Sequence, residues 1–185
     1  APRLDSIVAK LPRCPFDKFA TASNLLGTQM KATGEVMGIG SNLEECLLKA
    51  VRSLETGVCH LHMPIFDNMS DDELRAHISQ LHHDNLFAMA ELLRRGERVE
   101  RLFELTAITP YFIESIKKIT DMERLLKAAA KDAVLLKAAK KMGFSDKYIA
   151  KLWGCDELSV FALRQEKGIT PVYRMVDTCH TNAYI

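Results

Sequence analysis

Six histidines and five cysteines offer most of the chemistry in this 185-residue chain, and several fall close together. Cys59-His60-Leu61-His62 places a thiol and two imidazoles within four positions, and His82-His83-Asp84 adds two imidazoles and a carboxylate. These are ligand types that zinc and its first-row neighbours take. A closed zinc site needs four of them at tetrahedral positions, usually delivered as CxxC or HxxxH pairs. Here His60 and His62 alternate, as suits a loop or strand, whereas His82 and His83 are adjacent and point apart on a helix. The spacing therefore assigns no metal ligand, and Cys59 reads as a small, partly buried side chain.

A second pattern lies between Phe144 and Leu163. Ala150, Gly154, Val160 and Leu163 hold the spacing of a helix-turn-helix: small where helices cross, glycine in the turn, apolar on the second helix. Its reading helix would open on Cys155-Asp156-Glu157, setting two carboxylates where a DNA reader needs Arg, Lys, Asn or Gln. Two short helices packed at a glycine turn meet the same demands without DNA. Lys117, Lys118, Lys127, Lys131, Lys137, Lys140 and Lys141 interleave with acids around several sides of a helix, which describes a solvated face. Gly38-Ile39-Gly40 lacks the third glycine of a dinucleotide fingerprint, and no glycine-rich loop runs into Lys-Ser/Thr. No Ser/His/Asp arrangement or carboxylate pair stands out, so the residues alone give no catalytic, cofactor-binding or metal site.

Composition narrows the class. Apolar content of 48% and charged content of 26% are those of a globular domain. A chain of this length buries roughly 70% of its unfolded surface and needs no staples. A net charge of +1 gives no electrostatic case for nucleic acid or a membrane surface. It conceals an asymmetry: residues 41–91 hold nine acids and three bases, residues 109–152 ten bases and five acids. Cys14, Cys46, Cys59, Cys155 and Cys179 are an odd set without CxxC, which fits a reducing cytoplasm better than a disulfide framework. No run approaches the ~18 apolar residues of a membrane span.

The elements that must carry these residues are mostly helices. Leu4 to Leu11 and Glu35 to Ile39 read as strands, and Phe16 to Ala20 as one helical turn. Two strands alone are marginal in water, so something upstream is expected to complete the sheet. Ser41 reads as the cap of a helix carrying Leu43, Cys46, Leu47, Ala50, Val51 and Leu54 on its apolar face. Ser70-Asp71-Asp72-Glu73 is a second capping box. Further helices follow at about 84–95 and to about Leu105. Thr109-Pro110 opens the longest stretch, with Phe112, Ile116, Ile119, Leu126, Leu135 and Ala139 inward and a break near Asp132. Ser145 and Gly154 then bound two short helices, Gly168 ends the last, and Thr170 to Val176 looks extended. Met30, Met37 and Met63 read as packing residues.

Ala9-Lys10-Leu11-Pro12-Arg13, the run from Gly27 through Thr33-Gly34 to Gly40, Lys49-Ala50-Val51-Arg52-Ser53-Leu54-Glu55, and the closing Pro171 to Cys179 together resemble one family. They are similar to the large subunit of carbamoyl-phosphate synthetase, where its first ATP-grasp half ends and its helical oligomerisation domain begins. The resemblance implies a mainly α fold: a multi-helix oligomerisation domain preceded by a two-strand α/β stub from an ATP-grasp fold. It divides the chain into 1–56 (end of the first ATP-grasp half), 57–172 (helical domain) and 173–185 (linker into the second half). It implies an ATP-dependent ligase as parent, making carbamoyl phosphate from bicarbonate, glutamine-derived ammonia and two ATP with Mg2+ or Mn2+. The family's phosphate- and metal-holding groups precede the Lys-Leu-Pro-Arg strand, so this piece inherits no cofactor. It is expected to be an excised spacer and assembly module, inactive alone. Implied partners are further copies of the chain and a small glutaminase subunit, with no nucleic acid and no membrane. The alternative from the residues is an independent helical regulator using a DNA-binding helix-turn-helix at about 144–166.

Overall fold

The computed structural model describes residues 6–16, 23–173 and 176. Strand β1 (Ile7–Arg13) pairs antiparallel with β2 (Gly34–Gly40), Ile7 opposite Gly40 and Arg13 opposite Gly34. The two strand readings hold within a few residues; positions before Ser6 and most of the turn read at Phe16 to Ala20 lie outside the described residues. Helix α1 (Leu43–Ser53) packs across one face of this hairpin, where Ala9, Cys46 and Ala50 form a small core. Gly38 makes the approach possible, because a Cβ there would stand 2.1 Å from the Cys46 carbonyl oxygen. The opposite face leaves Val8 and Met37 exposed, as a pair of strands with one covered face must.

A short 3-10 turn (Pro64–Phe66) precedes the helical body. Its helices are α2 (Asp71–Ile78), α3 (Asn85–Arg94), α4 (Val99–Thr106), α5 (Pro110–Ala128), α6 (Ala133–Lys141), α7 (Asp146–Trp153) and α8 (Glu157–Glu166). The longest, α5, packs against α1, α3, α4, α6 and α7 and forms the axis of the domain. Its Ile113, Ile116, Ile119 and Leu126 join Leu92, Leu102 and Ile149 in one core, each such side chain contributing about 1.5–3 kcal/mol by leaving water. Trp153 Nε1 donates to the Leu126 carbonyl at 2.9 Å and fastens α7 to the end of α5.

Local signals set most helix ends. Ser70 and Glu73 form the reciprocal capping box, and Pro110 occupies the first turn of α5, where its missing N–H goes unneeded. Asp132 caps α6, Ser145 caps α7, and Gly154 closes α7 in the left-handed region at φ +66. Three expectations need correction. The α1 cap is Asn42, which accepts from Glu45 N at 2.8 Å, while Ser41 instead binds the Glu45 carboxylate. On α5 the inward position is Ile113, and Phe112 is 49% exposed. Met30 and Met37 are 83% and 60% exposed rather than packed, whereas Met63 does join the core. The described part of 170–176 forms no strand. Among the described residues, no helix is long and apolar enough to cross a membrane.

Candidate functional site

A buried polar cluster lies inside the helical body. The irregular segment after Gly57 (φ +80) carries His60 inward until it is 1% exposed. There His60 Nε2 meets Glu123 Oε1 of α5 at 2.9 Å. Arg94 of α3 donates from Nε to Glu123 Oε2 at 2.7 Å and from Nη2 to the Leu61 carbonyl at 2.7 Å. The His60 ring stacks on Tyr148 of α7, centroids 3.7 Å apart, and Phe144 lies 4.6 Å away.

Electrostatics fix the protonation of this cluster. Burial holds the His60 imidazole below its ordinary value, outweighing the Glu123 hydrogen bond that favours its charged form. The neutral ring then donates from Nε2, and its buried Nδ1 has no hydrogen-bond partner. Burial pushes the Glu123 carboxyl up, but the hydrogen bonds from His60 and Arg94 together hold it below the usual range. Burial also drives the Tyr148 phenol up. Both carboxylate oxygens are occupied by protein donors. The cluster bolts a loop to α3, α5 and α7.

A second set of ions binds the later helices. Asp146 accepts from Lys140 at 2.9 Å and from Arg164 Nη2 at 2.7 Å. Arg52 of α1 donates to the Gly143 carbonyl at 2.7 Å, and Lys118 of α5 lies 3.5 Å from Glu44. These contacts join the stub's helix to the body and give the charge asymmetry part of its use within one chain. They also engage cations that a phosphate-binding face would need. Within 144–166, Ala150 and Val160 are buried as the spacing predicts, and Gly154 makes the turn. The outward side of α8 opens on Asp156, which accepts from Ser159 N, and continues with exposed Leu158 and Phe161. No observation here favours a DNA reader.

The two histidine groups do not meet. The His62 side chain pairs with Asp67, at 2.9 Å on the surface. His82 instead lies beside His77 of α2, a residue the spacing argument passed over, with rings stacked at 4.1 Å and 13° from parallel. His77 Nε2 is 2.8 Å from Asp84 Oδ1. The signal available was the sequence closeness of a helix end at Ile78 to a helix start at Asn85, which folds both flanks onto the loop between. Cys14 and Cys46 are buried, and Cys59 and Cys155 half-buried, all as free thiols; Cys179 lies outside the described residues.

The surface carries an aromatic corner where α4 meets α5. Tyr111 and Phe112 touch edge to face at 5.4 Å, and both are about half exposed, as is Phe103 on α4. A family model described as carbamoyl-phosphate synthetase large chain, oligomerisation domain, matches residues 35–168. The matched span runs from β2 to the glycine that closes α8.

Proposed function

Because this chain belongs to the family of carbamoyl-phosphate synthetase large-chain oligomerisation domains, we propose that it serves as the spacing and assembly module of such a ligase. The observation that carries this reading is the family match across the whole helical body. It is supported by an interior whose charged groups are engaged with one another, and by exposed aromatics of the kind that anchor interfaces.

In this proposal the parent makes carbamoyl phosphate from bicarbonate, glutamine-derived ammonia and two ATP, using Mg2+ or Mn2+. The groups that bind ATP and metal for that reaction belong to other parts of the parent. A glutaminase subunit supplies ammonia there, and the whole works in the cytoplasm for arginine or pyrimidine synthesis. The part played by this chain is to hold copies of the parent together through the helical body and to hand the β1–β2 hairpin to a larger sheet.

Sedimentation velocity over a concentration series, run with and without a short DNA duplex, tests the reading. Reversible self-association that DNA leaves unchanged supports it. A monomer at every concentration, or salt-sensitive DNA binding, overturns it.

A further inference from the structure

The corner between α2 and α3 brings together three side chains of metal-ligand type. His77 at the end of α2, His82 in the connection and Asp84 at the start of α3 each offer one ligand atom. These three atoms lie within 4.8 Å of one another. His77 and Asp84 are mostly enclosed, with side chains 19% and 13% exposed.

Two details separate this group from an ordinary surface cluster. Asp84 stands at the N-cap of α3, the position where a carboxylate normally accepts from the helix's first N–H groups, yet it makes no such bond. Its oxygen turns to His77 instead. His82 Nδ1 is buried and has no hydrogen-bond partner, an expensive condition for an imidazole nitrogen. An imidazole nitrogen without a partner and a carboxylate that does not cap its helix thus belong to the same group of three side chains.

The geometry points to a binding site for one divalent first-row transition ion, Zn2+ or a close neighbour, on His77, His82 and Asp84. Two imidazoles and a carboxylate are a suitable donor set, leaving the fourth tetrahedral position to water. Ligand atoms about 2.0–2.2 Å from the ion require the triangle to contract modestly. The His82 ring must also tilt out of its stack on His77, because stacked rings cannot both aim an in-plane lone pair at one centre. The backbone of the connection is held while the ring turns: Asn85 Nδ2 donates to the Gln80 carbonyl at 2.6 Å, and Leu26 N donates to the Leu81 carbonyl at 2.6 Å. The second bond, with the bridge from Leu25 to His82, brings the β1–β2 connection to the same corner. A bound ion therefore ties three segments together, independently of whether the chain self-associates.

Titration of the metal-free protein with Co2+ and Zn2+ tests this. Expected are one Co2+ per chain with visible d–d absorption, Zn2+ displacing it, and a rise in Tm with Zn2+. His82→Gln and Asp84→Asn, which keep side-chain size, should each weaken binding about tenfold or more, while His62→Gln should not. Circular dichroism confirms that the variants are folded. Absence of stoichiometric Co2+ absorption overturns the proposal. So does binding that survives both corner substitutions, or that His62→Gln abolishes.

Discussion

The His60 imidazole lies against the Tyr148 ring at 3.7 Å, 14° from parallel, while its Nε2 holds Glu123 at 2.9 Å. One residue from an irregular loop thus meets two helices separated in sequence, and Arg94 joins the same carboxylate from a third. A buried ionic group of this kind is costly to assemble and costlier to break, since removing Glu123 leaves the Arg94 charge without one of its two carboxylates and the His60 Nε2 without its acceptor.

Glu123→Ala should therefore cost about 3 kcal/mol, the lower end expected for a broken buried pair because Arg94 keeps Glu91. Urea unfolding followed by circular dichroism measures it. Lys10→Ala removes an exposed partner of Glu35 and should cost under about 1 kcal/mol. Equal losses from the two substitutions would contradict the structural role given to Glu123.

Acid should weaken the fold in two stages. His60 is held neutral below its ordinary value by burial, so the unfolded chain takes up its proton first. Stability contributed by the neutral ring is present above the unfolded value, about 6.5, and declines as pH falls below it. Glu123, whose folded carboxyl lies below its usual range, adds a further loss as pH falls below about 4.3. Urea midpoints across this range should drop less steeply below pH 6.5 in His60→Asn than in the unaltered chain. Parallel profiles would remove His60 from the account.

Gly38→Ala should pull the hairpin away from α1. Its Cβ would meet backbone atoms, the Cys46 oxygen at 2.1 Å and the Ala50 nitrogen at 2.7 Å, which cannot swing aside like a side chain. A loss of about 3 kcal/mol or local release of the strands is expected, read as lost hydrogen-exchange protection in β1 and β2. Gly34→Ala has open space around it and should leave protection unchanged.

What could be read from the sequence was whatever a few neighbouring residues decide. Ser70 with Glu73, Pro110 and Gly154 each act within one helical turn, and each does what its type predicts. Asn42 took the cap from Ser41 because two adjacent residues qualify and only backbone geometry chooses between them. Met30, Met37 and Phe112 face outward against their apolar type, because apolar character says nothing about which face meets a neighbour. The pairing of His60 with Glu123 spans 63 positions and carries no local mark. His77 beside His82 escaped for a different reason: a ligand pattern sought at fixed spacing misses residues that a helix–loop–helix corner brings together.

The proposal leaves ATP to other parts of the parent. Isothermal titration of this chain with ATP and Mg2+ should give no binding heat. Micromolar, Mg2+-dependent binding would instead place a nucleotide site among these helices.

The assembly claim is tested most directly by sedimentation equilibrium of the chain beside its Tyr111→Ser, Phe112→Ser double variant. Both residues are half exposed and outside the main core, so the variant should fold. The account predicts concentration-dependent oligomers for the unaltered chain and a folded monomer for the variant. A monomeric unaltered chain, or oligomers indifferent to both substitutions, would contradict it.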